Sequence, residues 1–212
     1  MKKLLLKPLL LNAWTRRVLF ALCLIPVAQL IVRAFMGELS ANPVEFLEHR
    51  TGDWALRFLE ITLVITPLRK ILEQPLFVRY RRMLGLFAFF YACVHLFLYL
   101  LFDQMFDLKG ILADVLKRLY ITAGMAALLM MTPLAITSTA AMVRRLGPKR
   151  WQRLHRLIYF STAAAVLHFY WLRKSDVREP LMYAGIWAVL MLYRVKLWAS
   201  KPKTIKPAPV AA

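Results

Sequence analysis

Acidic residues are scarce in this sequence: 11 of its 212 residues are Asp or Glu, against 30 Lys or Arg, for a formal charge of +19. Cysteine is scarcer still. Cys23 and Cys93 lie in apolar runs without CxxC spacing, so neither a disulfide framework nor a zinc module of the usual spacing is expected. Long polar stretches are also missing, and nothing outside the hydrophobic segments is long enough to fold alone. The start, Met1 to Lys7, looks superficially like a secretory leader. Its apolar run is broken at Lys7, Pro8, Arg16 and Arg17, and no small-x-small site follows, so a retained lead-in to the first helix is expected.

What is present is hydrocarbon. Hydrophobic residues make up 60% of the chain, against roughly 45–50% in soluble domains. They cluster in stretches that can cross a bilayer, about twenty residues for a core of roughly 30 Å. Met83 to Phe102 contains His95 as its one ionisable residue besides tyrosine, and Leu119 to Val143 contains no charge. Leu157 to Leu172 reaches adequate length with the lead-in from Trp151. Val18 to Val32 carries Pro26 and Gln29, which a packed membrane helix tolerates. Trp54 to Leu68 carries Arg57 and Glu60, which an i,i+3 spacing would pair. Leu181 to Tyr193 either spans, with Lys196 snorkelling, or lies in the interface.

These segments predict an all-α, polytopic membrane bundle of six helices, or five if the last does not cross. One membrane domain over residues 1–199 is expected, with a disordered cytoplasmic tail over 200–212. Placing the amino terminus inside puts the basic clusters at Arg16–Arg17, Arg79–Arg82, Arg144–Arg156 and Arg194–Lys206 on the cytoplasmic face, against Glu73 alone. Nine of the eleven acids then fall outside. That bias accounts for the charge without a nucleic-acid partner and predicts both termini in the cytoplasm.

Three of the four histidines, His95, His155 and His168, lie in or at the edge of apolar segments. Ionisable groups at membrane depth are costly and usually functional. His95 lies about 18 Å along its helix, and His168 about 20 Å beyond His155, so His95 and His168 reach similar depths. Such a pair can ligate haem iron, or it can be a hydrogen-bonded bundle pair or a proton relay. His155 sits at the inner end near Arg81 and Arg82, as an interfacial base or a further ligand; the two arginines suit acidic groups of a cofactor. His49 is expected to be solvated in an outer loop, Asn42 to Gly52. Trp171, Trp187 and Tyr193 are expected in the aromatic belt. Gly85 and Ala163 to Ala165 would give room for a cofactor or for close helix packing.

His95 in a helix entered by Arg81-Arg82-Met83-Leu84-Gly85, then Trp151-xxx-His155-Arg156-Leu157 and His168, resembles the ferric-reductase-like transmembrane domain. The length, and the absence of an attached flavin or nicotinamide domain, is similar to the haem-binding membrane subunits of bacterial periplasmic methionine-sulfoxide reductase systems. The resemblance implies haem b on His95 and His168, with His155 available to a second, inner site. The wider family's four-histidine pattern has a histidine where this chain has Arg81. It also implies FMN, a donor in the quinol pool or a cytosolic flavin reductase, and a periplasmic molybdenum-containing methionine-sulfoxide reductase as partner in the bacterial inner membrane. Two other readings compete with this electron carrier: a proton-coupled transporter built on Arg57, Glu60 and the histidines, and a cofactor-free anchor.

Overall fold

The computed structural model describes residues 12–173 and 175–200, and among them are nine α-helices and no strand. The expected tail and lead-in fall outside the described residues, apart from Asn12 to Arg17 and Ser200. In chain order the helices are α1 (Ala13–Met36), α2 (Pro43–Ile71), α3 (Val78–Leu98), α4 (Leu108–Lys117), α5 (Leu119–Ile136), α6 (Ala140–Leu146), α7 (Pro148–Leu154), α8 (Leu157–Leu172) and α9 (Arg178–Ala199). Four are long and apolar enough to cross a membrane: α1, α3 with its π-helical extension to Asp103, α5 and α9. The remaining long helix, α2, carries several charges, and α8 has 16 residues. Both pack inside the bundle, α2 along α3 and α8 along α5.

Hydrophobic burial between helices contributes little in lipid, so packing and interhelical hydrogen bonds set the arrangement. An aromatic seam of Phe58, Phe87 and Tyr91 joins α2 to α3, with Phe58 and Tyr91 stacked at 5.4 Å. The fully buried Tyr91 also secures α1: its hydroxyl donates to the Cys23 carbonyl at 2.8 Å and accepts from the Val27 N–H at 3.1 Å. Those two groups would otherwise bond each other in the i→i−4 ladder, so the hydroxyl is inserted into a turn of α1 beside Pro26. Ser161 of α8 donates to Ala127 O of α5, and Trp187 of α9 donates to Tyr159 O of α8. Arg194, 2% exposed, reaches from α9 to the Leu63 carbonyl of α2 and to its own Leu190 O.

Several sequence expectations are corrected. The outer loop Asn42 to Gly52 is helical, because Asn42 caps α2 through Glu45 N and Pro43 occupies the first turn. The apolar run from Leu119 to Val143 is broken after Ile136. There Thr137 and Ser138 hydroxyls take the Pro133 and Leu134 carbonyls, and Thr139 caps α6. Arg57 and Glu60 do not pair: Arg57 Nε donates to the Tyr183 hydroxyl at 3.0 Å, and buried Glu60 leaves Oε1 without a partner. Arg194 is inside the bundle, not in a cytoplasmic basic cluster, and Trp187 is a packed interhelical donor, not a belt residue. Helix α4, unforeseen, exposes Leu108, Leu112 and Leu116 on one side, the pattern of a helix lying in the interface.

Candidate functional site

His95 occupies the last turn of α3 and His168 the last turns of α8, and their rings meet at 6.0 Å between centroids. Each ring is oriented by a backbone carbonyl of another helix. His95 Nδ1 lies 2.9 Å from Glu48 O of α2, and His168 Nδ1 lies 2.6 Å from Tyr120 O of α5. A carbonyl only accepts, so each Nδ1 carries the proton. Each Nε2 is thereby left unprotonated with its lone pair available. That is the tautomer of a metal-binding imidazole whose other nitrogen is held by an outer hydrogen bond.

Both rings line one cavity of about 460 Å³ enclosed by α2, α3, α5 and α8. This volume lies in the roughly 300–1,000 Å³ range of sites for organic ligands. Its walls are mostly apolar, among them Leu56, Leu59, Met131 and Phe169, with Asp103 and Arg118 at the mouth. Arg118 is held by Asp114 at 3.2 Å, which also accepts from Gln104 and Tyr99.

Two glycines make the rings fit. A Cβ on Gly52 of α2 would stand 3.3 Å from His95 Cε1. A Cβ on Gly124 of α5 would stand 2.8 Å from His168 Nδ1, closer than such atoms approach. Gly85, expected to give room for a cofactor or for close helix packing, faces Thr62 of α2, which is the packing alternative. His49, expected in solvent, is half-buried and lines the same cavity.

Among the described residues no group of three or more His, Cys, Asp or Glu could hold a bare metal ion. Two imidazoles alone suit a metal that brings its other ligands with it. Bonds of about 2 Å to each nitrogen are compatible with rings 6.0 Å apart. The two histidines therefore fit a haem, whose iron they would hold.

The opposite end of the bundle is differently built. The break between α7 and α8 takes His155 off the helix of His168. His155 Nε2 lies 3.0 Å from Thr137 Oγ1, and its ring stacks on Trp151 at 3.9 Å. Trp151 in turn donates to Thr137 O. Burial, then the charges of Arg81 and Arg82, lower the pKa of His155 to about 4, so its ring is neutral. Arg81 and Arg82 thus belong to the surroundings of His155 and line no part of the His95–His168 cavity.

Helical bundle, paired imidazoles and apolar cavity define a multi-pass membrane protein with two histidines on one internal cavity. Residues 51–166 match the model of the ferric reductase like transmembrane component, and the chain belongs to that family. The match contains His95, His155, Gly52 and Gly124 and ends two residues short of His168. At higher identity the chain is similar to proteins named protein-methionine-sulfoxide reductase heme-binding subunit MsrQ. The one from Herminiimonas arsenicoxydans is 49% identical over 87% of this chain and 85% of its own. Those from Xanthomonas oryzae pv. oryzae (strain MAFF 311018) and Rhodospirillum rubrum are 55% and 48% identical, over 82% and 85% of this chain and 80% and 86% of their own.

Proposed function

We propose that this chain is the haem-binding membrane subunit of a methionine-sulfoxide reductase system and carries electrons across the bilayer. The observation that carries this reading is the paired Nδ1-to-carbonyl geometry, which leaves Nε2 without a protein partner on two rings that line one cavity. In this reading His95 and His168 would hold the haem iron, and Gly52 and Gly124 leave their rings the room to do so. Haem b, when bound, supplies a one-electron couple within the membrane. Glu48 and Tyr120 carbonyls hold the ligand tautomer, and the apolar wall excludes water.

The crossing helices in this reading are α1, α2, α3, α5, α8 and α9, with both termini on the cytoplasmic face of the bacterial inner membrane. They form one domain over 1–199, followed by the tail 200–212. Electrons enter from the quinol pool or a cytosolic flavin reductase at the end ringed by Arg79, Arg81, Arg82, Arg144, Arg145 and Arg150, a field that attracts anionic donors and a flavin phosphate such as that of FMN. They leave at the histidine-pair end to a periplasmic, molybdenum-containing methionine-sulfoxide reductase. The transporter reading loses its polar couple, because Arg57 and Glu60 are not paired.

The test uses membranes holding this chain and its partner enzyme. Reduced quinone or reduced flavin should give the reduced haem spectrum, and methionine sulfoxide should reoxidise it only when the partner is present. Purified protein without bound haem would sink the carrier reading. Haem that sulfoxide never reoxidises would sink the partner assignment alone.

A further inference from the structure

A second cleft, about 640 Å³, opens between the end of α1 and the first turns of α2, at the end of the bundle that holds the histidine pair. One wall is apolar, with Ile25, Leu30 and Met36 of α1. The other side gathers Arg33, Arg50 and Arg57.

Each guanidinium lies over an aromatic ring. Arg33 from α1 and Arg50 from α2 share Phe46, at 5.2 and 5.4 Å, and Arg57 lies 5.0 Å from the Trp54 centroid. Ring stacking occupies the guanidinium face and leaves its in-plane N–H donors at the edge. Arg57 Nε donates to Tyr183. Among the described residues, the side chains of Arg33 and Arg50 make no hydrogen bond, and none of the three arginines makes an ion pair. The neighbouring acids are Glu38, which lines the cleft, Asp53, which interacts electrostatically with Arg50 and Arg57, and Glu179, which interacts with Arg57. Among the residues that line the cleft itself, three cations meet one carboxylate, Glu38, beside a wall suited to hydrocarbon.

Two arginines drawn from different helices onto one ring set two forks of donors at one place. Like charges so gathered at a lipid boundary are relieved by an anion that bridges them, and planar donor forks match phosphate oxygens. We propose that this cleft binds an anionic phospholipid. Arg33 and Arg50 hold its phosphate, and one acyl chain lies along Ile25, Leu30 and Met36. The apolar wall distinguishes a lipid from free phosphate, and the arginines distinguish it from a neutral isoprenoid such as a quinone.

The experiment exchanges the purified full chain into mixed phosphatidylglycerol and phosphatidylcholine and counts retained lipid by native mass spectrometry. Phosphatidylglycerol should be retained preferentially. Arg33→Gln with Arg50→Gln should weaken that retention roughly tenfold or more, while Arg16→Gln with Arg17→Gln at the other end of α1 should not change it. Equal retention of the two lipids in the wild type overturns the proposal without any variant. So does complete displacement of the lipid by excess inorganic phosphate, or retention of ubiquinone in place of phospholipid. Retention unchanged in the Arg33/Arg50 variant, with wild-type helical circular dichroism, also overturns it.

Discussion

The two ends of the bundle use histidine in opposite ways. At one end His95 and His168 commit Nδ1 to a carbonyl and line a shared cavity. At the other, His155 commits Nε2 to Thr137 and its ring face to Trp151, next to two arginines. The first arrangement spends protein hydrogen bonds on preparing a ligand; the second spends the histidine itself on joining α5 to the α7–α8 break. In the proposed reading, which nitrogen is bonded, more than membrane depth, separates a cofactor ligand from a structural residue.

The largest expected effect lies in the pair. His95→Ala or His168→Ala should abolish the bis-imidazole signal, because each removes an axial ligand of one iron. Reduced-minus-oxidised spectra per mole of protein measure this, and wild-type haem content in either variant would break the contrast between the ends.

Gly124→Ala sharpens it, since two effects of opposite sign meet there. Alanine favours the helix by roughly 0.5–1 kcal/mol over glycine, yet its Cβ would stand 2.8 Å from the His168 ring. Haem retention should fall roughly tenfold, the low end for disturbed outer-shell contacts, while the haem-free protein melts no lower. Equal haem affinity in the variant would show that His168 tolerates displacement.

The smallest effect belongs to His155→Ala. It should leave haem content and spectrum unchanged and lower stability by about 1 kcal/mol, the worth of one hydrogen bond. Thermal melts followed at the Soret band read both at once. Loss of haem in this variant would make the two ends alike.

Much of this was legible in the sequence because it is written in composition. Apolar runs marked the helices, and equal depths on α3 and α8 brought His95 and His168 together by simple rise per residue. The breaks were not legible from hydropathy, since Thr137 and Ser138 end α5 through hydroxyl–carbonyl bonds while the apolar run continues to Val143. The pairing of Arg57 with Glu60 failed because a partner on another helix, Tyr183, reached the guanidinium. Gly52 and Gly124 were missed for a similar reason, as their neighbours lie 43 and 44 residues away in sequence. One signal was available: a glycine inside a long helix costs stability, and in a chain with 7 glycines each such position asks for a close neighbour.

Arg194 has a consequence for how the molecule is made. Its guanidinium is almost wholly enclosed and receives no carboxylate among the described residues, relying on the carbonyls of Leu190 and Leu63 and on the Tyr159 ring 5.3 Å away. Leu63 is synthesised 131 residues earlier, so the last helix finds its acceptor only on a segment already in the membrane. By itself α9 would bring a bare cation into lipid. Its seating is thereby tied to α2: without the Leu63 carbonyl, the guanidinium keeps only a carbonyl of its own helix and the Tyr159 ring.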